Sequence, residues 1–347
     1  MAPADSVSGH MHRGLRALLL AALSGLLFAA PALVSPTSAR AQRMDLALSR
    51  LRIEGGTPDC SSTYCADDRA WASLATQLSG ALIPPLLGPA RTRGPRSFYL
   101  GVETMLTGIE ASQGYWQLGT EGDGGPMGDR NRAVDSVLAW TRLSIRKPLP
   151  FGFELGTSAG YLVNTSYLTL GLEVRWALLE GWTGRDGWVP DFAVRAAVQT
   201  LVGDAQFNTT VIALDATLSN SIVLGDAFEL SPYVAGQLNW VFADTELVDL
   251  TPNVDAWRLC DPLPPDASSG SRVNCQGDPS DFNNNTVFQS LRTMRPRLVM
   301  GAQARYELFT LNLAFSFDLL TPREADANLP ESLPRQWRLD LGAGFSY

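Results

Sequence analysis

The sequence predicts an all-β fold, a transmembrane antiparallel up-and-down β-barrel of about ten strands preceded by a short, partly helical N-terminal segment. From Ser97 to the C-terminus, apolar side chains alternate with small or polar ones, as in strands that have one apolar face. The alternating segments run for about 10 to 15 residues, and a tilted strand needs about 9 to 11 to cross a membrane. Their second face carries Gly, Ala, Ser and isolated charges instead of many solvated side chains. A soluble β-sandwich, whose strands usually have about five or six residues, is the alternative fold.

The N-terminus has the pattern of a secretory signal peptide. Arg13 and Arg16 precede an apolar run from Ala17 to Val34, and Ala39-Arg40-Ala41 supplies the small residues of a cleavage site. A single transmembrane anchor is the alternative, but glycine and proline interrupt the run. We expect residues 1–41 to be removed on export.

The next 54 residues, 42–95, form a separate N-terminal segment in this interpretation. Apolar residues recur at helical spacing between Asp67 and Leu82, and a proline series that ends at Pro95 marks a linker. The segment could plug the barrel from below, dock to a periplasmic partner, or rest on the rim of the barrel. Residues 96–347 are predicted to be the barrel.

Ten alternating segments are bounded by turn residues, and an even count places both ends of the barrel on the same side of the membrane. They are 96–109, 134–147, 152–163, 167–178, 191–202, 209–224, 228–242, 297–307, 310–320 and 336–347. The connections after the second, fourth, sixth and eighth segments are short, as periplasmic turns are, and most of the others are longer. Eight or twelve strands also fit the pattern.

The four cysteines fall into two close pairs, Cys60 with Cys65 and Cys260 with Cys275. This usage indicates an oxidising compartment outside the cytoplasm, and proximity predicts a disulfide within each pair. A zinc site built from all four does not fit, because the spacings are not those of zinc fingers. The acidic residues near the second pair lack the regular spacing of a calcium loop.

Charged residues on the polar face of the strands are predicted to point into the lumen. Six carry each sign, which favours a salt-bridge network filling a narrow barrel over a selectivity ladder in an open pore. The predicted lumenal charges are Glu103, Arg142, Arg146, Glu154, Glu173, Arg175, Arg195, Asp215, Arg297, Arg305, Glu307 and Asp318.

The residue inventory argues against catalysis. The only histidines are His10 and His12, so the mature chain has no imidazole for a general base or a metal ligand. Glu154 and Glu173 on adjacent strands could form an acid–base pair of the glycosidase type, but neighbouring arginines favour ion pairing. We expect no enzymatic activity, no cofactor and no metal site. The acidic pI of about 4.9 argues against a nucleic-acid partner.

Tryptophans near strand ends and turns are predicted to form a girdle at the membrane interface. Trp140 falls on the lumenal side of its strand, and a bulge could turn it outward. The set comprises Trp140, Trp176, Trp182, Trp188, Trp240, Trp257 and Trp337.

The C-terminal segment resembles the β-signal of bacterial outer-membrane barrel proteins. Trp337, Leu339, Leu341, Phe345 and the terminal Tyr347 alternate with small and charged residues. The resemblance covers residues 96–347 as a pattern, and it implies that the barrel-assembly machinery reads this strand. Within that class the chain is similar to porin-like barrels of myxobacteria and related Gram-negative bacteria, some of which serve gliding or envelope machines.

We therefore expect an outer-membrane barrel with a narrow or occluded lumen that acts as a structural or envelope-machine component. A porin-like channel for ions or small solutes is the alternative, and an outer-membrane enzyme is the third. The partners implied are outer-membrane lipid, the barrel-assembly machinery and envelope or periplasmic proteins.

Overall fold

The computed structural model describes residues 42–56, 60, 63–123, 129–180, 189–225, 227–252, 260–261, 274–275, 284–330 and 332–347. The predicted signal peptide and its cleavage site therefore lie outside the described residues, as do Trp182, Trp188 and Trp257. In the part of the chain that is described, no helix is both long and apolar enough to span a membrane.

Ten long strands pair with their neighbours in chain order, always antiparallel. They are β1 (Tyr99–Gly108), β2 (Val137–Pro148), β3 (Phe153–Leu162), β4 (Leu168–Leu179), β5 (Asp191–Val202), β6 (Phe207–Ser219), β7 (Phe228–Thr245), β8 (Leu291–Tyr306), β9 (Phe309–Asp318) and β10 (Trp337–Ser346).

The sheet closes on itself because β10 also pairs with β1, with Gly342 opposite Glu103. Closure leaves no free edge among the ten strands, as a membrane requires. The predicted fold class and the count of ten are confirmed.

Two predicted strands differ most from the observed ones, and the other boundaries agree to within three residues. β8 begins at Leu291 instead of Arg297, because Pro296 is accommodated opposite Leu238 and its carbonyl still accepts a hydrogen bond from Leu319, just past the end of β9. The predicted sixth segment is interrupted after Ser219, and Ile222–Leu224 pairs separately with the start of β7.

The two faces of the barrel differ sharply in polarity, as β4 shows. Its outward Leu172 is 62% exposed, whereas the inward Thr169 is completely buried and Arg175 is nearly so. Large apolar side chains are exposed in the same way on eight of the other nine strands, and on β5 the outward side chains are partly exposed. An apolar exterior that surrounds a polar interior is the arrangement of a barrel surrounded by lipid.

The barrel has a long-loop mouth and a short-turn mouth. The long-loop mouth carries connections 109–136, 163–167, 203–206, 246–290 and 319–336, and the short-turn mouth carries 149–152, 180–190, 220–227 and 307–308. The C-terminal Tyr347 pairs with Phe98 at the short-turn mouth. We expect the long-loop mouth to face the cell exterior.

Smaller elements lie before the barrel and in its long loops. A two-stranded hairpin, Arg52–Glu54 with Tyr64–Ala66, contains the Cys60–Cys65 disulfide. The helices are α1 (Asp68–Ala81), α2 (Gly114–Gly119) and α3 (Pro322–Ala325), with short 3-10 turns at Leu48–Arg50 and Pro150–Gly152.

The long loop between β7 and β8 contains two very short strand pairs. Val248–Asp249 pairs with Asn285–Thr286, and Cys260–Asp261 pairs with Asn274–Cys275. The second pair places the backbone of Cys260 opposite that of Cys275, while their side chains lie outside the described part of the chain.

Candidate functional site: the filled lumen

The N-terminal segment passes through the barrel from one mouth to the other. Residues 42–66, here called the cap, lie at the long-loop mouth and contact three loops. The amide of Met44 donates to the carbonyl of Asn164, the amide of Glu121 donates to the carbonyl of Asp45, and the guanidinium of Arg52 donates to the carbonyl of Leu250. Helix α1 follows inside the barrel, and residues 82–93, here called the strap, descend to the short-turn mouth.

Helix α1 fills the long-loop half of the lumen with an apolar core. It begins with the Asp67 side chain capping the amide of Ala70, and its Trp71 packs edge-on against Phe207, with 5.4 Å between the ring centres. Trp71 also donates to the carbonyl of Gln289 at 2.9 Å. This cluster includes Leu74, Leu78, Leu82, Met105, Leu138, Leu162, Val211, Val241 and Phe288. The inside of this half resembles the core of a water-soluble domain.

Trp140 belongs to this core instead of the interfacial girdle. Its side chain is completely buried, and its indole donates to the carbonyl of Ala81 at 3.0 Å. The outward bulge considered from the sequence is therefore absent, because the end of α1 supplies the acceptor that a buried indole needs.

The strap is held by arginines that contact its alternate carbonyls. Each comes from a different strand: Arg338 donates to Ile83, Arg195 to Pro85 at 2.7 Å, Arg146 to Leu87 at 2.8 Å and Arg175 to Pro89 at 3.0 Å. From β7, Gln237 donates to Pro84 at 3.0 Å and Tyr233 to Leu86 at 3.2 Å. The strap therefore presents a row of acceptors to donors on the barrel wall.

The proline content of the strap explains this pattern. Pro84, Pro85 and Pro89 have no amide hydrogen, so the extended chain presents more acceptors than donors to the lumen. A buried carbonyl without a donor is costly, and hydrogen bonds from charged groups are stronger than neutral ones. Of the amides that the strap retains, that of Ala90 donates to the Ser219 hydroxyl at 2.9 Å and that of Thr92 donates to the Glu180 carboxylate at 3.2 Å.

Carboxylates from the wall neutralise these arginines from the side. Glu103 pairs with Arg142 and Arg146, each at 2.6 Å, and Glu173 pairs with Arg146 at 2.8 Å and Arg195 at 2.7 Å. Further pairs are Arg195 with Asp215 at 2.6 Å, Arg175 with Glu154 at 3.7 Å, and Arg295 and Arg297 with Asp318. Most of these groups are almost fully buried, so each charge depends on its partner.

The structure brings ten of the twelve predicted lumenal charges into this network or beside the strap. Arg305 lies on the rim of the short-turn mouth, where it pairs with Glu229 at 2.8 Å and is 39% exposed. The prediction that Glu307 faces the lumen is wrong. Glu307 lies in the turn between β8 and β9, is exposed, and has a positive φ of 51°. β8 ends one residue before it, so strand parity no longer applies there.

The predicted set omits four buried charges on the lumenal face of the strands, one of which is Asp191 at the start of β5. Arg338 and Asp340 form a fully buried pair on β10, and Arg295 lies on the part of β8 that the prediction omitted. Alternation along β10 was enough to predict that Arg338 and Asp340 face the lumen, because both alternate with the outward Trp337, Leu339 and Leu341.

The cap is fixed to the long loops by polar contacts. The Asp45 carboxylate accepts from the amide of Ser166 at 2.6 Å, and Leu46 donates to the Tyr167 hydroxyl at 2.7 Å. Burial raises the pKa of the Glu121 carboxyl, although Arg50 at 3.4 Å opposes this shift. The cap and the loops therefore form one folded unit over the mouth.

Little space remains beside the strap. Two voids lined by Pro84 and by Pro89, respectively, have volumes of about 10 and 20 Å³. A void of this size holds about one water molecule.

No protein-family model matches the chain, and no curated protein matches it significantly. Among solved structures, it is similar to the N-terminal β-barrel domain of Pseudomonas aeruginosa OprF, with 11% identity, 72% of this chain and 97% of that one covered, and a TM-score of 0.26. It is also similar to Ail of Yersinia pestis, at 7% identity, 72% and 98% coverage and a TM-score of 0.24. Acinetobacter baumannii Omp33 shows 8% identity, 73% and 100% coverage and a TM-score of 0.24.

The class of the protein follows from its own geometry. Ten antiparallel strands close into a ring, apolar side chains cover the outside, and charged side chains line the inside. A sheet with these three properties is stable in a bilayer, where an open sheet would leave unpaired backbone groups in lipid. The protein is an outer-membrane β-barrel whose lumen contains part of its own N-terminal segment.

Proposed function

We propose that the protein is a sealed, non-enzymatic barrel that acts as a structural component of the outer membrane and holds a folded cap at its outer mouth. The observation that carries the proposal is the filling of the lumen by α1 and the strap. Envelope or periplasmic proteins are the partners that such a scaffold would serve, in the manner of an envelope machine.

The nature of the filling favours a permanent seal over a gate. Withdrawal of α1 would expose Trp71, Leu74 and Leu78 together with the apolar wall that they cover. Burial of one large apolar side chain is worth about 1.5 to 3 kcal/mol, so opening the long-loop half costs far more than a gating equilibrium can supply.

The pairing of the lumenal carboxylates supports the absence of catalysis. Glu154 and Glu173, the candidate acid–base pair, have Arg175 at 3.7 Å and Arg146 at 2.8 Å, respectively. A carboxylate that is bonded to an arginine in a filled lumen is not positioned to donate a proton to a substrate. Histidine is also absent beyond residue 12.

Conductance in planar bilayers tests the proposal. Purified full-length mature protein should show no single-channel steps under conditions in which a general porin, reconstituted in parallel, conducts. A variant lacking residues 42–66 should also be silent, because α1 and the strap still fill the lumen. Defined conductance steps from the full-length protein would instead establish the porin-like alternative.

A further inference from the structure

The void of about 20 Å³ at the short-turn mouth lies beside an unusual arginine. Its lining includes Arg93 at the end of the strap and Tyr99, Arg146, Glu154, Arg175 and Gln303 on the wall. The void therefore lies where the strap leaves the barrel, on the side expected to face the periplasm.

Among the described residues, no carboxylate forms an ion pair with Arg93, unlike the paired arginines on the barrel wall. One of its terminal nitrogens donates to the side-chain oxygen of Gln303 at 3.1 Å, and its guanidinium lies 5.7 Å from the centre of the Tyr99 ring. Both contacts are with neutral groups. An inward cation paired only with neutral groups benefits from a nearby negative charge.

The local balance of charge leaves that cation uncompensated. Arg146 is shared between Glu103 and Glu173, and Arg175 has Glu154. The positive charges of the lining that are not in these ion pairs are those of Arg93 and of the exposed Arg91. Among the residues that line the void, the positive charges therefore outnumber the negative ones.

Three hydrogen-bond donors on residues that line this void have no protein partner within the described residues. They are the Nη1 atom of Arg93, the Nη2 atom of Arg175 and the hydroxyl of Tyr99. Arg175 and Tyr99 are both 95% buried, since each retains only 5% of its exposed surface. Buried donors normally have acceptors.

We propose that this void binds one small monovalent anion, chloride in the cell, between Arg93 and Arg175. The volume fits a single water-sized species. Glu154 is the one carboxylate in the lining, and Arg175 at 3.7 Å already offsets its charge. The anion supplies Arg93 with the counter-charge that the barrel wall does not provide.

Bromide is the probe that tests the site, because its anomalous scattering distinguishes it from water. Crystals of the full-length mature protein are grown with bromide in place of chloride. The expected result is one anomalous peak in contact with Arg93 and Arg175. The substitution Arg93→Gln should abolish the peak, whereas Arg96→Gln, which removes an exposed charge from the same linker outside the void, should retain it.

A measurement in solution shows whether the anion also binds outside the crystal, at lower salt concentration. The temperature at which the folded form converts to the unfolded form on a gel is compared in potassium chloride and potassium gluconate of equal ionic strength. Chloride should raise this temperature for wild type and for Arg96→Gln, and should leave Arg93→Gln unchanged, because a ligand stabilises only the state that binds it. The conservative Arg93→Lys should restore part of the shift.

Three results would overturn the proposal. The first is density without an anomalous signal in the wild type, which would identify water. The second is a bromide peak that persists in Arg93→Gln. The third is a peak in the crystal without any chloride-dependent shift in solution.

Discussion

Replacement of Arg195 by methionine should destabilise the barrel strongly. The Arg195 side chain is 1% exposed and bonds Asp215 at 2.6 Å, Glu173 at 2.7 Å and the carbonyl of Pro85 at 2.7 Å. Its loss leaves Asp215 as a buried charge without an ion-pair partner, while Glu173 retains Arg146. Removing one member of a buried pair costs about 3 to 5 kcal/mol, so we expect that loss in the free energy of unfolding.

Replacing both partners should cost much less. In the double variant Arg195→Met with Asp215→Leu, no charge is stranded, and apolar pairs often replace buried ion pairs at little cost. The carbonyl of Pro85 still loses its donor, which costs about 1 to 3 kcal/mol. The double variant should therefore be more stable than Arg195→Met alone.

The assay is reversible urea unfolding in phospholipid micelles, followed by tryptophan fluorescence. The matched control is Arg292→Gln, because Arg292 pairs with Asp244 at 2.7 Å but the two side chains are 47% and 43% exposed. An exposed pair contributes about 0 to 1 kcal/mol. If Arg195→Met costs no more than this control, or if the double variant is less stable than the single one, the reasoning about stranded charge is wrong.

Three further outcomes are expected. An epitope tag placed directly before Gln42 should be labelled by antibody on intact cells, and labelling only after permeabilisation would contradict the placement of the cap. Trp71→Ala should cost about 3 to 5 kcal/mol in urea unfolding, as a buried aromatic-to-alanine change does, and a cost below 1 kcal/mol would mean that α1 does not form a core. Deletion of Tyr347 together with Phe345→Ala should lower the yield of heat-modifiable barrel in the membrane fraction, with Phe151→Ala at an exposed turn as the control.

The fold was largely predictable because period-two alternation and strand length depend on local sequence. β5 was predicted at its observed bounds, Asp191–Val202. The predicted β8 was too short because a proline such as Pro296 usually ends a strand. Only the strands that pair with β8 show that an outward proline is tolerated there. Alternation along a strand places charged side chains on the lumenal face. It does not place Glu307, because Glu307 lies one residue past the end of β8.

The path of the strap had no comparable signal in the sequence. Arginines from four strands donate to backbone carbonyls of the strap. Because every residue has a backbone carbonyl, the sequence does not indicate which ones the arginines contact. Residues Pro84 to Pro89 therefore read only as a linker. Trp140 was likewise interpreted from its position near a strand end, because its acceptor at Ala81 is 59 residues away in the chain.

The position of the cap imposes an order on assembly. The N-terminal segment runs from one mouth to the other, and the cap at its outer end is cross-linked by a disulfide and joined to three loops. Once β10 pairs with β1, the wall is a continuous ring of hydrogen bonds, and a folded cap is too wide to be drawn through it. We expect the N-terminal segment to cross the membrane while the ring is still open, so that the strands wrap around a chain that is already in place.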